Sequence, residues 1–460
     1  MDYYNLSALD RKYVWHPFTQ MKEWAEGDPI VIGEGSGCFI KDVRGRWYLD
    51  GVSSLWVNIF GHRKKEIDDA VKKQIDRIAH STLLGLASEP SVLLAARLIR
   101  LLGESLPDDT MPPLTRVFYS DNGSTAVEAA LKMAFQYWLH KGVTGKNAFL
   151  SLNMAYHGDT IGAVSAGGIE IFHGTFKPLL FKTFRSPAPY CYRCELGLDR
   201  GICAMACIDE MERILEEHHK EIAAVIIEPK MQAAGGMIAA PDGFLRGVRR
   251  LCTKYGVTLI ADEVATGFGR TGRMFACASE GVVPDIICLS KGLTGGYLPL
   301  AVTVATEEIY NAFLGEYGQM KQFFHGHSYT GNPIGCAAAL AVVDLFDKED
   351  ILTRLRPKIE RLDKWLRQIL RHDHVGNTRS AGFMAGVELV KNKETREAYP
   401  IEDKTGWKVA LDVRKKGVFL RPLGDCIVIM PPLTISEENL TAMLTRIEES
   451  ICSVTEKSSV

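Results

Sequence analysis

Three segments of this sequence set reactive side chains beside glycine-rich turns. In Asp262-Glu-Val-Ala-Thr-Gly-Phe-Gly-Arg-Thr-Gly272 a carboxylate ends an apolar run and glycines follow. In Asp285-Ile-Ile-Cys-Leu-Ser-Lys291-Gly-Leu-Thr-Gly-Gly296 a lysine ends another. In Ser120-Asp-Asn-Gly-Ser-Thr-Ala-Val-Glu128 the residues Gly123, Ser124 and Thr125 open a helical pattern, where unpaired backbone N–H groups and hydroxyls can hold a phosphate. Each motif alone has an ordinary explanation: a helix-capping aspartate, a surface lysine, a hydroxyl cap. Together they meet one chemical requirement. Pyridoxal phosphate needs a lysine amine to carry its aldehyde, an acid to keep its pyridine nitrogen protonated, and an anion cradle for its phosphate.

The elements that must position these groups are legible as alternating strands and helices. Arg116 to Tyr119, Ala223 to Glu228, Val257 to Asp262 and Ile286 to Ser290 read as strands, and Ser124 to His140 and Phe244 to Tyr255 as helices. This alternation predicts an α/β fold with a mostly parallel sheet whose ligands bind beyond the carboxyl ends of the strands. After about residue 340 the pattern changes. Ile351 to His372 reads as a long amphipathic helix, Phe383 to Leu389, Val418 to Arg421 and Cys426 to Met430 as short strands, and Glu437 to Ser453 as a closing helix. With hairpin-like material from Pro29 to Tyr48 around Gly35 and Gly37, this predicts a smaller α+β domain made of both ends of the chain. The expected division is 1–60 (N-terminal part of the small domain), 61–340 (large domain) and 341–460 (C-terminal small domain).

At 460 residues the chain exceeds what one hydrophobic core usually supports, in keeping with that division. A net charge of -2 points away from nucleic acid and acidic membrane surfaces and toward a small-molecule ligand. No secretory leader or membrane span is apparent, and most of the eleven cysteines stand singly in apolar segments, so a reducing cytoplasm is expected. Cys191-Tyr-Arg-Cys194 with Cys203 and Cys207 has spacing compatible with zinc or an iron–sulfur cluster. The ordinary explanation of such a run is a thiol-rich loop, and no metal site is expected there.

The chain resembles the class III (ω-) aminotransferases of the aspartate-aminotransferase fold from about Trp15 to Pro432. The resemblance rests on the Asp262 to Gly272 run and its separation from Lys291. It also rests on Trp15-His-Pro-Phe-Thr-Gln-Met21, Asp50-Gly-Val-Ser-Ser-Leu-Trp56, Tyr156-His-Gly-Asp159, His325-Gly-His-Ser-Tyr-Thr-Gly-Asn-Pro333, Arg421-Pro-Leu-Gly424 and Met430-Pro-Pro432. Within that class it is most similar to the enzymes that aminate 8-amino-7-oxononanoate to 7,8-diaminononanoate in biotin biosynthesis.

The resemblance implies a fold-type I transferase with a seven-stranded sheet, pyridoxal 5'-phosphate as cofactor and a homodimer with sites at the subunit interface. Lys291 would carry the cofactor and move protons, Asp262 would pair with the pyridine nitrogen, and Tyr156 would stack on the ring. Gly123 and Ser124 would bind the phosphate, joined by Ser328 from the neighbouring subunit, where serine replaces the family's usual threonine. Glu228 would lie near the cofactor. Arg421 would hold the substrate carboxylate, with Arg270, Asp159, Phe18, Leu55, Trp56 and Gly326 in the substrate region. Forms using S-adenosylmethionine carry a tyrosine where this chain has Phe18 and a tryptophan where it has Leu55. L-lysine is therefore the expected amino donor. S-adenosylmethionine, or another ω-amino acid or diamine aminotransferase activity, is the alternative.

Overall fold

The computed structural model describes residues 3–108 and 110–456. Its centre is a seven-stranded sheet with spatial order Leu114–Ser120, Ala301–Thr306, Ile286–Leu289, Thr258–Asp262, Ile222–Ile227, Ala148–Leu152, Thr183–Ser186. The last five of these run parallel; only Ala301–Thr306 pairs antiparallel with both its neighbours. The mostly parallel sheet predicted from the alternation is therefore present. Its central strands are buried on both faces, as their unbroken apolar sequences require. Side chains alternate between two packed layers. Ile260, Ile286 and Cys288 join the layer built on the helix Gly123–His140, while Leu259, Ala261, Ile287 and Leu289 join the larger core on the other face.

Three smaller sheets accompany this core among the described residues, one of them only the pair Met231–Gln232 and Ile238–Ala239. Ile32–Ser36, Phe39–Asp42 and Trp47–Asp50 form an antiparallel ribbon, and Val418–Phe419 from the far end of the chain adds to it in parallel. Val375–Ala381, Met384–Leu389 and Cys426–Ile429 make an antiparallel three-stranded sheet.

Boundaries differ from the sequence reading by a few residues. The helix at Ile351 ends at Ile369, before His372, and the strand at Val418 ends at Phe419, which leaves Arg421 outside the sheet ladder. The strands Ala148–Leu152, Thr183–Ser186 and Ala301–Thr306 and the helices Lys65–Arg77, Glu89–Ser105 and Pro333–Lys348 complete the architecture without having been singled out. Among the described residues no helix is long and apolar enough to cross a membrane.

Candidate active site

The parallel strands deliver the site. Thr258–Asp262 ends on Asp262, in register with Cys288 of the neighbouring strand, and Lys291 lies two residues beyond that neighbour. Glu228 directly follows Ile222–Ile227, and Tyr156 to Asp159 lie in the loop after Ala148–Leu152. On the same rim the 18-residue helix Gly123–His140 begins. Its cap Asn122 accepts a hydrogen bond from Thr125 N at 3.1 Å, and Thr125 reciprocates toward Asn122 N. Asp262, Lys291, Glu228, Tyr156 to Asp159 and the helix start at Asn122 to Ser124 line one cavity of about 670 Å³, a size suited to a cofactor with a small substrate.

Asp262 is buried and both its oxygens are engaged. Oδ2 accepts from His157 Nδ1 at 2.7 Å, and Oδ1 accepts from Val264 N at 3.1 Å. The His157 side chain is fully buried, and its Nε2 has no hydrogen-bond partner, so the contact through Nδ1 to Asp262 is what fixes the ring. His157 stood inside a quoted motif, but nothing in the sequence marks it as the partner of a residue 105 positions away.

Burial drives the Lys291 amine down to about 8, opposed in part by the nearby charges of Asp262 and Glu228. Its Nζ lies 4.7 Å from the Trp56 ring centroid. Lys291 has φ +47, and Ser53, Ser54 and Trp56 also have positive φ. Of these, Lys291 and Trp56 line the cavity, and left-handed backbone at non-glycine residues is costly and tends to gather at functional sites. Glu228 Oε1 accepts from Tyr156 N at 3.1 Å and Oε2 from Ala233 N at 3.0 Å, and burial raises its carboxyl to about 7.

Near the helix start, space is held open by missing side chains. A Cβ on Gly158, at φ +120, would fall 2.3 Å from Ser124 Oγ, and one on Gly123 would fall 2.5 Å from Val264 Cγ1. Ser124 Oγ lies 2.8 Å from Thr160 Oγ1 and accepts from Thr160 N at 3.0 Å. A buried acid, a desolvated lysine and a glycine-bearing helix start around one cavity form the donor set that pyridoxal phosphate requires.

The remaining expected residues separate into groups. Trp56, Tyr156 and Asp159 line the cavity, and Tyr156 Oη donates to Asp159 Oδ2 at 2.7 Å. Phe18, Leu55 and Arg421 stand outside the cavity lining. Arg421 Nη2 donates to the Phe18 carbonyl at 3.2 Å, and the Phe18 ring meets Phe172 edge-on at 5.3 Å. Phe172, which the sequence reading passed over, lies 6.4 Å from Tyr156, so an aromatic path leads from Phe18 to the cavity. Gly326 and Ser328 are exposed and lie outside the lining; the Ser328 carbonyl is 2.8 Å from His80 Nε2.

Arg270 is held by the backbone. It is 1% exposed, lies outside the cavity lining, and donates from Nη1 to Pro431 O at 2.6 Å and from Nη2 to Asn58 O at 2.9 Å. Two of its nitrogens satisfy buried carbonyls and clasp segments together, while its Nε has no hydrogen-bond partner.

The family model of the class-III aminotransferases matches residues 21–451, and the chain belongs to that family of pyridoxal-phosphate-dependent enzymes. It is 54% identical, over 99% of both chains, to the adenosylmethionine-8-amino-7-oxononanoate aminotransferase of Geobacter sulfurreducens. The crystal structure of the enzyme of that name from Methanocaldococcus jannaschii superposes with a TM-score of 0.92 at 47% identity, covering 98% of this chain and 100% of that one. An amine transaminase from an uncultivated Pseudomonas species, solved with pyridoxal phosphate bound, gives 0.90 at 35% identity, covering 96% and 99%. The expectation of lysine as amino donor finds no support in these relatives, since the two biotin-pathway names carry adenosylmethionine. The expectation took Phe18 and Leu55 as a loss of aromatic surface, whereas Phe172 and Tyr156 continue an aromatic wall inward from Phe18.

Proposed function

We propose that this enzyme transfers an amino group from S-adenosylmethionine to 8-amino-7-oxononanoate, giving 7,8-diaminononanoate for biotin synthesis. The observation that carries the aminotransfer reading is the convergence of Asp262, Lys291 and the helix start at Gly123 on one cavity. The choice of substrates is supported by the names of relatives that match nearly the whole chain. The aromatic path from Phe18 through Phe172 to Tyr156 suits an adenine ring. The cavity-facing carboxylate of Asp159 suits the positive charge of a sulfonium donor.

When bound, pyridoxal phosphate supplies the electron sink and the temporary seat for the amino group. Lys291 would hold it covalently and, once freed, move a proton to and from the substrate carbon, a task suited to an amine that burial brings to about 8. Asp262, fixed by His157, would hold the ring nitrogen protonated. Gly123 and Ser124 would receive the phosphate, Tyr156 would cover the ring face, and Glu228 would close its edge. Arg421 would take the substrate carboxylate, with Phe18, Leu55, Trp56, Asp159 and Gly326 shaping the acceptor and donor space. In a homodimer, the exposed Ser328 would complete the phosphate site of the neighbouring subunit. Donor and acceptor would use the same site in turn, giving ping-pong kinetics. In this account the chain works in the cytoplasm, and its division at residues 60 and 340 separates the cofactor-binding body from the part that carries Arg421. Lys291→Ala tests the assignment: turnover disappears while fold and assembly persist. Near-normal turnover in that variant would falsify it.

A further inference from the structure

Cys191, Cys194, Cys203 and Cys207 have no part in the aminotransfer site, yet the fold brings them together. All four line one small cavity of about 20 Å³ beneath Pro187, Pro189 and Leu196, and none is in a disulfide. A void of that size has room for one water-sized occupant, such as a single ion. The thiols spend almost nothing on hydrogen bonding: Cys191 Sγ and Cys203 Sγ approach the carbonyls of Pro189 and Arg200 at 3.9 Å.

The backbone around them is built of turns. Cys191–Arg193 is a 3-10 turn, Gly197 N bonds back to Cys194 O at 3.0 Å, and Ala206 N bonds back to Cys203 O at 2.9 Å. Cys207 stands in the first turn of the helix Ala206–His218, where the dipole favours a thiolate, and Arg200 lines the same cavity. The flanks are held rigidly from outside. Arg193 Nε donates to Glu388 Oε1 at 2.6 Å, and Glu195 accepts from Ala188 N at 3.0 Å and from Asn153 Nδ2 at 2.6 Å.

We propose that Cys191, Cys194, Cys203 and Cys207 bind one thiophilic divalent cation, zinc, in a structural site. A C-x2-C turn facing a second pair of cysteines is the usual ligand spacing of such sites. No three of the four sulfurs already lie within 4.8 Å of one another, so ligation draws the turns inward around the void. No electrons move. The dication enters, and each thiol that ligates releases its proton.

Among the described residues, the one set of three donors that does lie within 4.8 Å is His372, Cys452 and Glu456. It is the weaker site: His372 Nδ1 accepts from His374 N at 3.1 Å, which leaves the proton on Nε2, the nitrogen nearer Glu456. Zinc ties down the segment that Glu195 links to Asn153, three residues before Tyr156.

The test is metal analysis of the cofactor-loaded enzyme, purified without chelator or polyhistidine tag from zinc-supplemented cells. About one zinc per chain is expected. A chelator that strips it should lower the Tm, added zinc should restore the Tm, and the double variant C194S/C203S should lose the metal. Substoichiometric zinc with a Tm indifferent to chelator and zinc overturns the proposal, as does iron in its place or a double variant that keeps its zinc. If the double variant fails to fold, stripping and refilling the unaltered enzyme decides the matter alone.

Discussion

Replacing His157 with phenylalanine isolates the contribution of the His157–Asp262 pair. The ring nitrogen and the carboxylate oxygen are 2.7 Å apart, with side chains 0% and 5% exposed, so neither water nor another side chain takes the place of a lost donor. Removing one partner of a buried, charge-assisted hydrogen bond costs about 1.5–3 kcal/mol. Asp262 then loses the contact that orients its carboxylate, and a carboxylate out of place becomes a poorer partner for a protonated ring nitrogen. Carried wholly into cofactor affinity, the loss is about 10- to 150-fold. The assay is spectrophotometric titration of the cofactor-free variant with pyridoxal phosphate, with melting curves of the same cofactor-free protein to measure any loss of fold separately. His157→Asn, whose amide N–H can occupy nearly the place of Nδ1–H, should recover most of the affinity. A His157→Phe protein that binds cofactor as tightly as the unaltered enzyme refutes the positioning role.

Three further outcomes follow from the geometry. Gly158→Ala places a Cβ at φ +120 against Ser124 Oγ; cofactor binding in titration should weaken roughly tenfold or more, as expected for strain of 1–3 kcal/mol, and unchanged affinity would show that the cradle has slack. The ordinary Lys291 amine titrates at 10.5 and burial lowers it to about 8. Between those values the unfolded chain carries a proton that the folded one lacks, so this group makes the cofactor-free fold more stable as pH rises through that window. In the same preparation the rate of cofactor capture, which needs the neutral amine, should rise with a midpoint near pH 8, and a midpoint near 10 would contradict the burial effect. Arg421→Ala should raise KM for 8-amino-7-oxononanoate by about 10- to 150-fold, the equivalent of one charged hydrogen-bond set. Its donor half-reaction should be damaged less, through the lost contact with the Phe18 carbonyl; equal damage to both halves would show that Arg421 is not specific to the acceptor.

The groups that local sequence could reveal are those whose meaning depends on position along a strand. Asp262 and Lys291 end apolar runs buried on both faces, so the run names the strand and the strand end names the rim. The helix Phe244–Tyr255 was legible to the residue because apolar side chains at three-and-four spacing end at Gly256, which adopts the left-handed cap. Contacts between distant segments were not legible. His157 reads as a motif histidine, and only the crossing of two loops at the sheet rim shows it to be the donor to Asp262. Arg270, in a glycine-rich run beside Asp262, reads as a ligand for substrate, yet the fold buries it against the carbonyls of Asn58 and Pro431. The donor expectation, which the relatives' names do not support, weighed Phe18 and Leu55 as single residues, while Phe18 packs on Phe172, which sequence alone does not bring near it.

The central claim is the pair of substrates, and one incubation tests it most directly. The purified enzyme, loaded with pyridoxal phosphate, is supplied with 8-amino-7-oxononanoate and either S-adenosylmethionine or L-lysine, and 7,8-diaminononanoate is measured by mass spectrometry. Product formed with S-adenosylmethionine is the predicted result. Product with lysine alone would overturn the donor assignment, and no product with either donor would contradict the proposed reaction itself.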